Sequence, residues 1–155
     1  MMNIFANPVL ARGLAIAAAG VGVGLLLSFG RGIVRLVWKY KQEAAAAPVE
    51  DILPAMALAV TPITKVFYAI VVAVALSQRN LAAGELSIVS TFACGAFALF
   101  AVVQGAVAAK LINTPTAKDG LIGSFRFKLG ILGGIETLAI FALVGTIGFS
   151  ARLSA

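Results

Sequence analysis

Residues 86–109, LSIVSTFACGAFALFAVVQGAVAA, form an uninterrupted run without a charged side chain. A bilayer core about 30 Å thick is crossed by a helix of about 20 apolar residues. The run is continuously apolar and does not alternate with polar residues, which indicates a helix and not a strand of a membrane barrel. It therefore predicts one membrane-spanning helix.

Three further stretches have the same character. Residues 13–30 carry no charge, residues 52–78 carry only Lys65, and residues 129–151 carry only Glu136. Over all 155 residues, 61% are hydrophobic and 12% are charged. Soluble domains have about 45–50% apolar and about 25% charged residues. The sequence therefore predicts an all-α membrane protein with four transmembrane helices.

The four predicted helices pair into two hairpins, residues 8–80 and residues 84–155, within a single membrane domain of residues 1–155. Each hairpin has a basic connection, and Lys65 in the first matches Glu136 in the second at equivalent positions. We therefore expect a duplication in which both hairpins enter the membrane in the same direction.

The distribution of Lys and Arg predicts the orientation. One connection, taken to begin at residue 31, and a second one at residues 110–128 carry eight basic residues, against three on the other side. By the positive-inside rule the connections lie in the cytoplasm and both termini outside, with the first helix retained and not cleaved as a signal peptide. The net charge of +6 is then explained by the orientation of the chain in the membrane, and no nucleic-acid partner is expected. The eight are Arg31, Arg35, Lys39, Lys41, Lys110, Lys118, Arg126 and Lys128; the three are Arg12, Arg79 and Arg152.

Catalytic chemistry finds little support in the sequence. There is no His, and Cys94 is the one Cys, in an apolar run that predicts packing and not reactivity. Gly20, Gly22 and Gly24 lie in an apolar helix with no Lys nearby, so they predict helix packing and not a phosphate-binding loop. We expect no enzyme active site and no cofactor.

Small residues dominate the first and third predicted helices, whereas the second and fourth carry bulkier ones. Small residues let helix backbones approach closely in lipid. Two arrangements fit this pattern: a compact monomeric bundle, or a homo-oligomeric ring with the first and third helices on its inner wall.

Glu136 is the most informative residue, because an ionised carboxylate near mid-membrane costs at least about 2.5–3.5 kcal/mol and usually marks an ion path. Lys65 is a second intramembrane charge, which extends toward the membrane surface, pairs with Glu136 or is a neutral amine. Gln104, Thr64 and Tyr68 add polar groups at similar depth. Pro62 should free a backbone carbonyl near residue 58 and kink the second helix beside Lys65.

Three segments resemble a known family: residues 133–140, GGIETLAI; residues 103–109, VQGAVAA; and residues 61–68, TPITKVFY. They are similar to segments of the proteolipid ring subunit, called subunit K or c, of bacterial V-type rotary ATPases. Glu43 and residues 44–47 resemble the cytoplasmic connection of the same family. The resemblance implies identical subunits in a ring, a stator subunit with an essential Arg, a central-shaft subunit and a bacterial plasma membrane.

The resemblance also implies roles for individual residues. Glu136 would carry the ion, and in sodium-coupled members the ligands map onto Thr64, position 65, Gln104 and Glu136, with Tyr68 bonding the carboxylate. Those members have Gln where this chain has Lys65. An ammonium offers no lone pair to a metal cation and repels it. The departure favours H⁺ as the transported ion, with Na⁺ as the alternative, in which case the metal ligands would be Glu136, Gln104 and Thr64.

Two other functions remain open on the sequence. A small four-helix secondary transporter would line a substrate site with Lys65, Gln104 and Glu136. A purely structural membrane protein would use Lys65 and Glu136 as a buried pair that fixes the register of its helices.

Overall fold

The computed structural model describes residues 6–43, 49–114 and 124–154, and all regular secondary structure in these ranges is helical. Four helices are long and apolar enough to cross a membrane, as predicted. We call them spans 1 to 4: Pro8–Gln42, Ile52–Ser77, Ala83–Ile112 and Phe125–Leu153. Lys118 and residues 44–47, on which the orientation and the resemblance partly rest, lie outside the described ranges.

Span 1 is longer than the sequence predicted. It consists of an α-helix, Pro8–Leu26, a π-helix, Leu27–Ile33, and a second α-helix, Val34–Gln42. The basic connection does not begin at residue 31, so that boundary was wrong. The reason is physical: residues 33–43 contain no Pro or Gly, and Leu, Arg, Lys and Gln favour a helix. The first basic cluster therefore lies on the helix itself.

Span 2 is interrupted at Pro62, where the sequence predicted a kink. An α-helix, Val49–Ala59, leads into a 3₁₀ turn, Thr61–Ile63, and an α-helix, Thr64–Ser77. Pro62 has no N–H, so the carbonyl of Leu58 accepts instead from the hydroxyl of Thr61, at 2.8 Å. The carbonyl of Ala59 accepts from the hydroxyl of Ser28 in span 1, also at 2.8 Å. Side chains thus satisfy both carbonyls at the interruption.

Spans 3 and 4 are continuous α-helices, Ala83–Ile112 and Phe125–Leu153. Glu85 accepts from the N–H of Ala82, and Ser124 accepts from the N–H of Phe127, so side chains cap both helix starts. At the end of span 3, Asn113 donates to the carbonyl of Arg31 at 2.7 Å, which ties this end to span 1.

Two apolar core layers hold the bundle together. The first joins the start of spans 1 and 3 to the end of span 2, and the second joins the start of spans 2 and 4 to the end of span 3. Consecutive spans therefore run antiparallel. The first layer includes Leu10, Ala17, Val72, Leu76, Val89 and Phe97; the second includes Ala55, Leu58, Ala108, Ile112 and Leu132.

Spans 1 and 3 approach each other closely and run parallel. A β-carbon added at Gly20 would overlap Ala98, and one added at Gly24 would overlap the backbone of Ala101. Gly105 in turn lies against the backbone of Gly24. The predicted packing role is confirmed for Gly20 and Gly24. A β-carbon added at Gly22, by contrast, would have no atom of another span within 4 Å. The ring and the duplication stay predictions from the sequence.

Replacing Gly24 with Leu should separate spans 1 and 3, because the added side chain has no space beside Ala101. We expect the free energy of unfolding to fall by at least about 1–3 kcal/mol, the usual cost of overpacking. Thermal unfolding in detergent, followed by size-exclusion chromatography, measures the loss.

The matched control is Gly22→Leu, which adds the same side chain to the same helix at a position with open space around it. It should keep the folded yield and most of the thermal stability. Equal stability of the two variants would contradict the close contact at Gly24.

Candidate functional site

A cluster of five polar side chains lies between the two apolar core layers. Span 2 contributes Thr64, Lys65 and Tyr68, span 3 contributes Gln104, and span 4 contributes Glu136. These are the five site residues predicted from the sequence, and the structure brings all of them into one hydrogen-bonded group, which we call the Glu136 cluster.

The carboxylate of Glu136 is the common acceptor of the cluster. Its Oε2 atom accepts from Lys65 Nζ, from Gln104 Nε2 at 3.1 Å and from Thr64 Oγ1 at 3.2 Å. Its Oε1 atom accepts from the hydroxyl of Tyr68. Four donors from two other spans therefore hold both oxygens, which suits an ionised carboxylate because it only accepts hydrogen bonds.

Lys65 is fully enclosed, with none of its surface exposed. Its Nζ donates to Thr64 Oγ1 at 2.9 Å, to Gln104 Oε1 at 2.6 Å and to Glu136 Oε2. Three oxygen acceptors match the three N–H groups of an ammonium. The nitrogen also lies 5.8 Å from the ring centre of Tyr68, within the range of a cation–π contact. Lys65 thus does not extend to the membrane surface, and it pairs with Glu136 inside the bundle.

Two neighbours orient the pair. Gln104 is 1% exposed; its amide oxygen accepts from Lys65 while its amide nitrogen donates to Glu136. Thr64 accepts from Lys65, and its own single proton has two acceptors, the carboxylate and the carbonyl of Thr61 at 3.0 Å. Both side chains therefore bridge the cation and the anion, and the amide orientation of Gln104 follows from the bonds it makes.

Glu136 lies at the edge of the cluster and not at its centre. Its side chain is 23% exposed, whereas that of Lys65 is 0% exposed. On the same side of this helix, Ile140 one turn later and Leu129 two turns earlier are 41% and 46% exposed, so Glu136 borders an apolar, open face of span 4. In a membrane such a face meets lipid or another protein chain. The Glu136 side chain is therefore partly open to the outside of the bundle, and the Lys65 side chain is not.

The buried polar side chains of the Glu136 cluster all have hydrogen-bond partners. In the part of the chain that the structure describes, every buried side-chain nitrogen and oxygen has a hydrogen-bond partner. The pair of Lys65 and Glu136 has no net charge, which lowers the cost of placing it in an apolar layer. The cluster can therefore hold an ionised carboxylate inside an apolar layer.

The sequence did not identify Ser28 as a contributor. Its hydroxyl satisfies the carbonyl of Ala59 at the interruption of span 2, one turn before Thr64 and Lys65. The sequence contained a sign of this contact. Ser28 supplies a hydroxyl donor in an otherwise apolar run, and Pro62 in the neighbouring helix predicts carbonyls that lack a backbone donor. Only the packing of spans 1 and 2 shows that the two meet.

Comparisons with models of protein families, with curated proteins and with solved structures found no match to this chain. The contacts of the Glu136 cluster and the resemblance of the three sequence segments are therefore the basis for assigning a function.

Replacing Lys65 with Met should destabilise the fold strongly, because it leaves the Glu136 carboxylate without a cation. Breaking a buried ion pair by removing one partner costs about 3–5 kcal/mol. The double variant Lys65→Met with Glu136→Gln removes both charges and should regain much of that loss. Unfolding of the wild type, the two single variants and the double variant in one detergent gives the coupling energy.

The control is Lys39→Met, which removes the exposed ion pair of Lys39 with Glu43, separated by 3.9 Å. Exposed pairs of this kind contribute less than about 0.5 kcal/mol. If Lys65→Met is as stable as Lys39→Met, the ion pair of the cluster does not hold the fold.

Proposed function

We propose that this protein is the ring-forming proteolipid subunit of a V-type rotary ATPase and that Glu136 carries the transported ion. The observation that supports this most is the position of Glu136: four donors hold it, yet it is partly exposed on an apolar face of span 4. A carboxylate at such a face can exchange an ion with another protein as the two surfaces pass each other. The site resembles that of the family on Thr64, Tyr68, Gln104 and Glu136.

The proposed cargo is a proton, with sodium as the alternative. Protonation makes the Glu136 carboxyl neutral, so the carboxyl itself needs no counterion beside lipid. The ammonium of Lys65 then loses its partner, and the loaded site carries one positive charge. When the proton leaves, the carboxylate is again neutralised by the ammonium of Lys65, or by an Arg of the stator subunit that the resemblance implies. Glu136 would then alternate between an ion pair and a neutral acid.

The packing of the spans supports a ring. Spans 1 and 3 are parallel and in close contact through Gly20, Gly24 and Gly105, which suits a thin inner wall. Span 4 is the least buried span, and it carries the proposed ion-binding residue. In the proposed assembly copies of the chain stand side by side in a bacterial plasma membrane, with the termini outside and a central-shaft subunit at the cytoplasmic connections.

One observation favours each alternative. The fully satisfied pair of Lys65 and Glu136 favours a structural role in which no ion moves. The interruption of span 2 at Thr61–Ile63 favours a transporter, because broken helices often border substrate sites.

Glu136→Gln should abolish ATP-driven ion uptake by membrane vesicles that contain the whole complex. Gln retains the size and the hydrogen-bonding capacity of Glu but cannot load a proton. The control is Glu85→Gln, which changes the same residue type at the start of span 3, where Glu85 only caps the helix. That variant should keep most of the uptake. Pumping that persists in Glu136→Gln would exclude the ion-carrying role.

The assembly itself is tested by the mass of the detergent-extracted particle. We expect a stable oligomer of many identical chains for the wild type and for Glu136→Gln, because the substitution does not touch the contact of spans 1 and 3. Native mass spectrometry or particle imaging gives the size. A monomer or dimer would remove the ring proposal and favour the transporter or the structural role.

A further inference from the structure

The oxygens of the Glu136 cluster surround one cation position. Carboxylate, amide and hydroxyl oxygens converge on a single point, because Glu136 Oε2, Gln104 Oε1 and Thr64 Oγ1 all contact Lys65 Nζ. These are the oxygen types that bind hard metal cations in proteins. The point they surround is occupied by a cation that belongs to the chain.

The ammonium of Lys65 fits that point in charge and in number of bonds. It is a compact unit charge, and each of its three N–H groups has an oxygen partner. The side chain is fully enclosed, and no buried side-chain nitrogen or oxygen in the described ranges lacks a partner. A second cation would find the shared oxygens already bonded to Lys65.

Charge opposes a second cation as well. Glu136 is the one acidic residue within spans 2 to 4 that touches Lys65, and the pair is already neutral. Repulsion between an ammonium and a monovalent ion about 4 Å away lowers affinity by on the order of a thousandfold at the effective dielectric constant of a partly buried site.

We infer that the ammonium of Lys65 is the built-in occupant of the cation position in the Glu136 cluster. The cluster therefore excludes sodium and potassium in the wild-type protein and becomes a monovalent-metal site when the ammonium is removed. Lys65 is thus the residue that determines cation specificity. For transport, the inference rests on the proposed function, and it then names the proton as the cargo, because a proton needs one oxygen of Glu136 only, whereas a metal ion needs the oxygens that Lys65 already occupies.

The test measures binding of radioactive sodium to the purified, detergent-solubilised protein by equilibrium dialysis at constant ionic strength, with choline chloride as the balancing salt. The wild type should bind no sodium up to about 10 mM. Lys65→Gln removes the charge and adds an amide oxygen, so it should bind sodium at least tenfold more tightly than the wild type, with saturation near one ion per chain. Excess potassium should compete.

The matched control is the double variant Lys65→Gln with Glu136→Gln, which keeps the amide but lacks the carboxylate. It should lose the sodium binding that Lys65→Gln gains. Sodium binding by the wild type at millimolar concentration would overturn the inference, and so would a folded Lys65→Gln variant that binds no more sodium than the wild type. Binding that persists without the carboxylate would place the ion elsewhere and also overturn it.

Lys65→Gln and the apolar variant Lys65→Met are also purified in sodium and, separately, in choline, to separate misfolding from failure of the inference. A bound sodium ion replaces the lost partner of Glu136 and should raise the folded yield and the melting temperature relative to choline. If neither variant is recovered even in sodium, the inference is contradicted, because the ion would then not substitute for the ammonium.

These measurements are independent of rotation. Binding is determined on the isolated subunit, whereas the rotary proposal is tested by vesicle uptake and by particle mass. Loss of the ring proposal would leave the occupant role of Lys65 intact. Conversely, sodium binding by the wild type would refute the occupant role while leaving an ion-carrying Glu136 in place.

Discussion

The ammonium of Lys65 is enclosed by protein in the apolar part of the bundle. At this position it needs a counterion and hydrogen-bond acceptors, and the surrounding spans supply both. A buried charge is tolerated only when it is paired and its hydrogen bonds are made. Span 4 supplies the carboxylate of Glu136, and span 3 supplies the amide of Gln104. Spans 2, 3 and 4 are therefore held in one register by a single side chain.

The register depends in turn on the interruption at Pro62. Pro62 cannot donate to the carbonyl of Leu58, and the hydroxyl of Thr61 donates there instead. The N–H of Ile63 donates to Val60, so the carbonyl of Ala59 accepts from Ser28. The helix restarts at Thr64, so Thr64 and Lys65 stand at its beginning, with Tyr68 one turn later on the same face. Close packing of spans 1 and 3 beside this region brings Ser28 within reach.

Much of this could be predicted from the sequence, and the exceptions have physical causes. Four apolar stretches fixed the number of spans, and isolated charges at Lys65 and Glu136 pointed to the site. The end of span 1 was missed because basic residues mark a membrane boundary but do not end a helix. The direction of each hydrogen bond, and the contact of Ser28 with Ala59, depend on packing distances that no pattern of residue types contains.

Neutrality of the cluster has a consequence for any rotor built from it. If Glu136 were a lone carboxylate, lipid would exclude the unloaded subunit, and that exclusion would couple movement to ion loading. Here the ammonium of Lys65 makes the unloaded subunit neutral, whereas a proton added to Glu136 leaves that ammonium without its counterion and gives the loaded site a charge of +1, so lipid no longer excludes the unloaded subunit. Coupling would then have to arise where Glu136 leaves Lys65. The Glu136 side chain is 23% exposed and that of Lys65 is fully buried, so a cation on a second protein could approach Glu136 but not Lys65. The asymmetry of the pair is thus what a rotor with an internal cation requires.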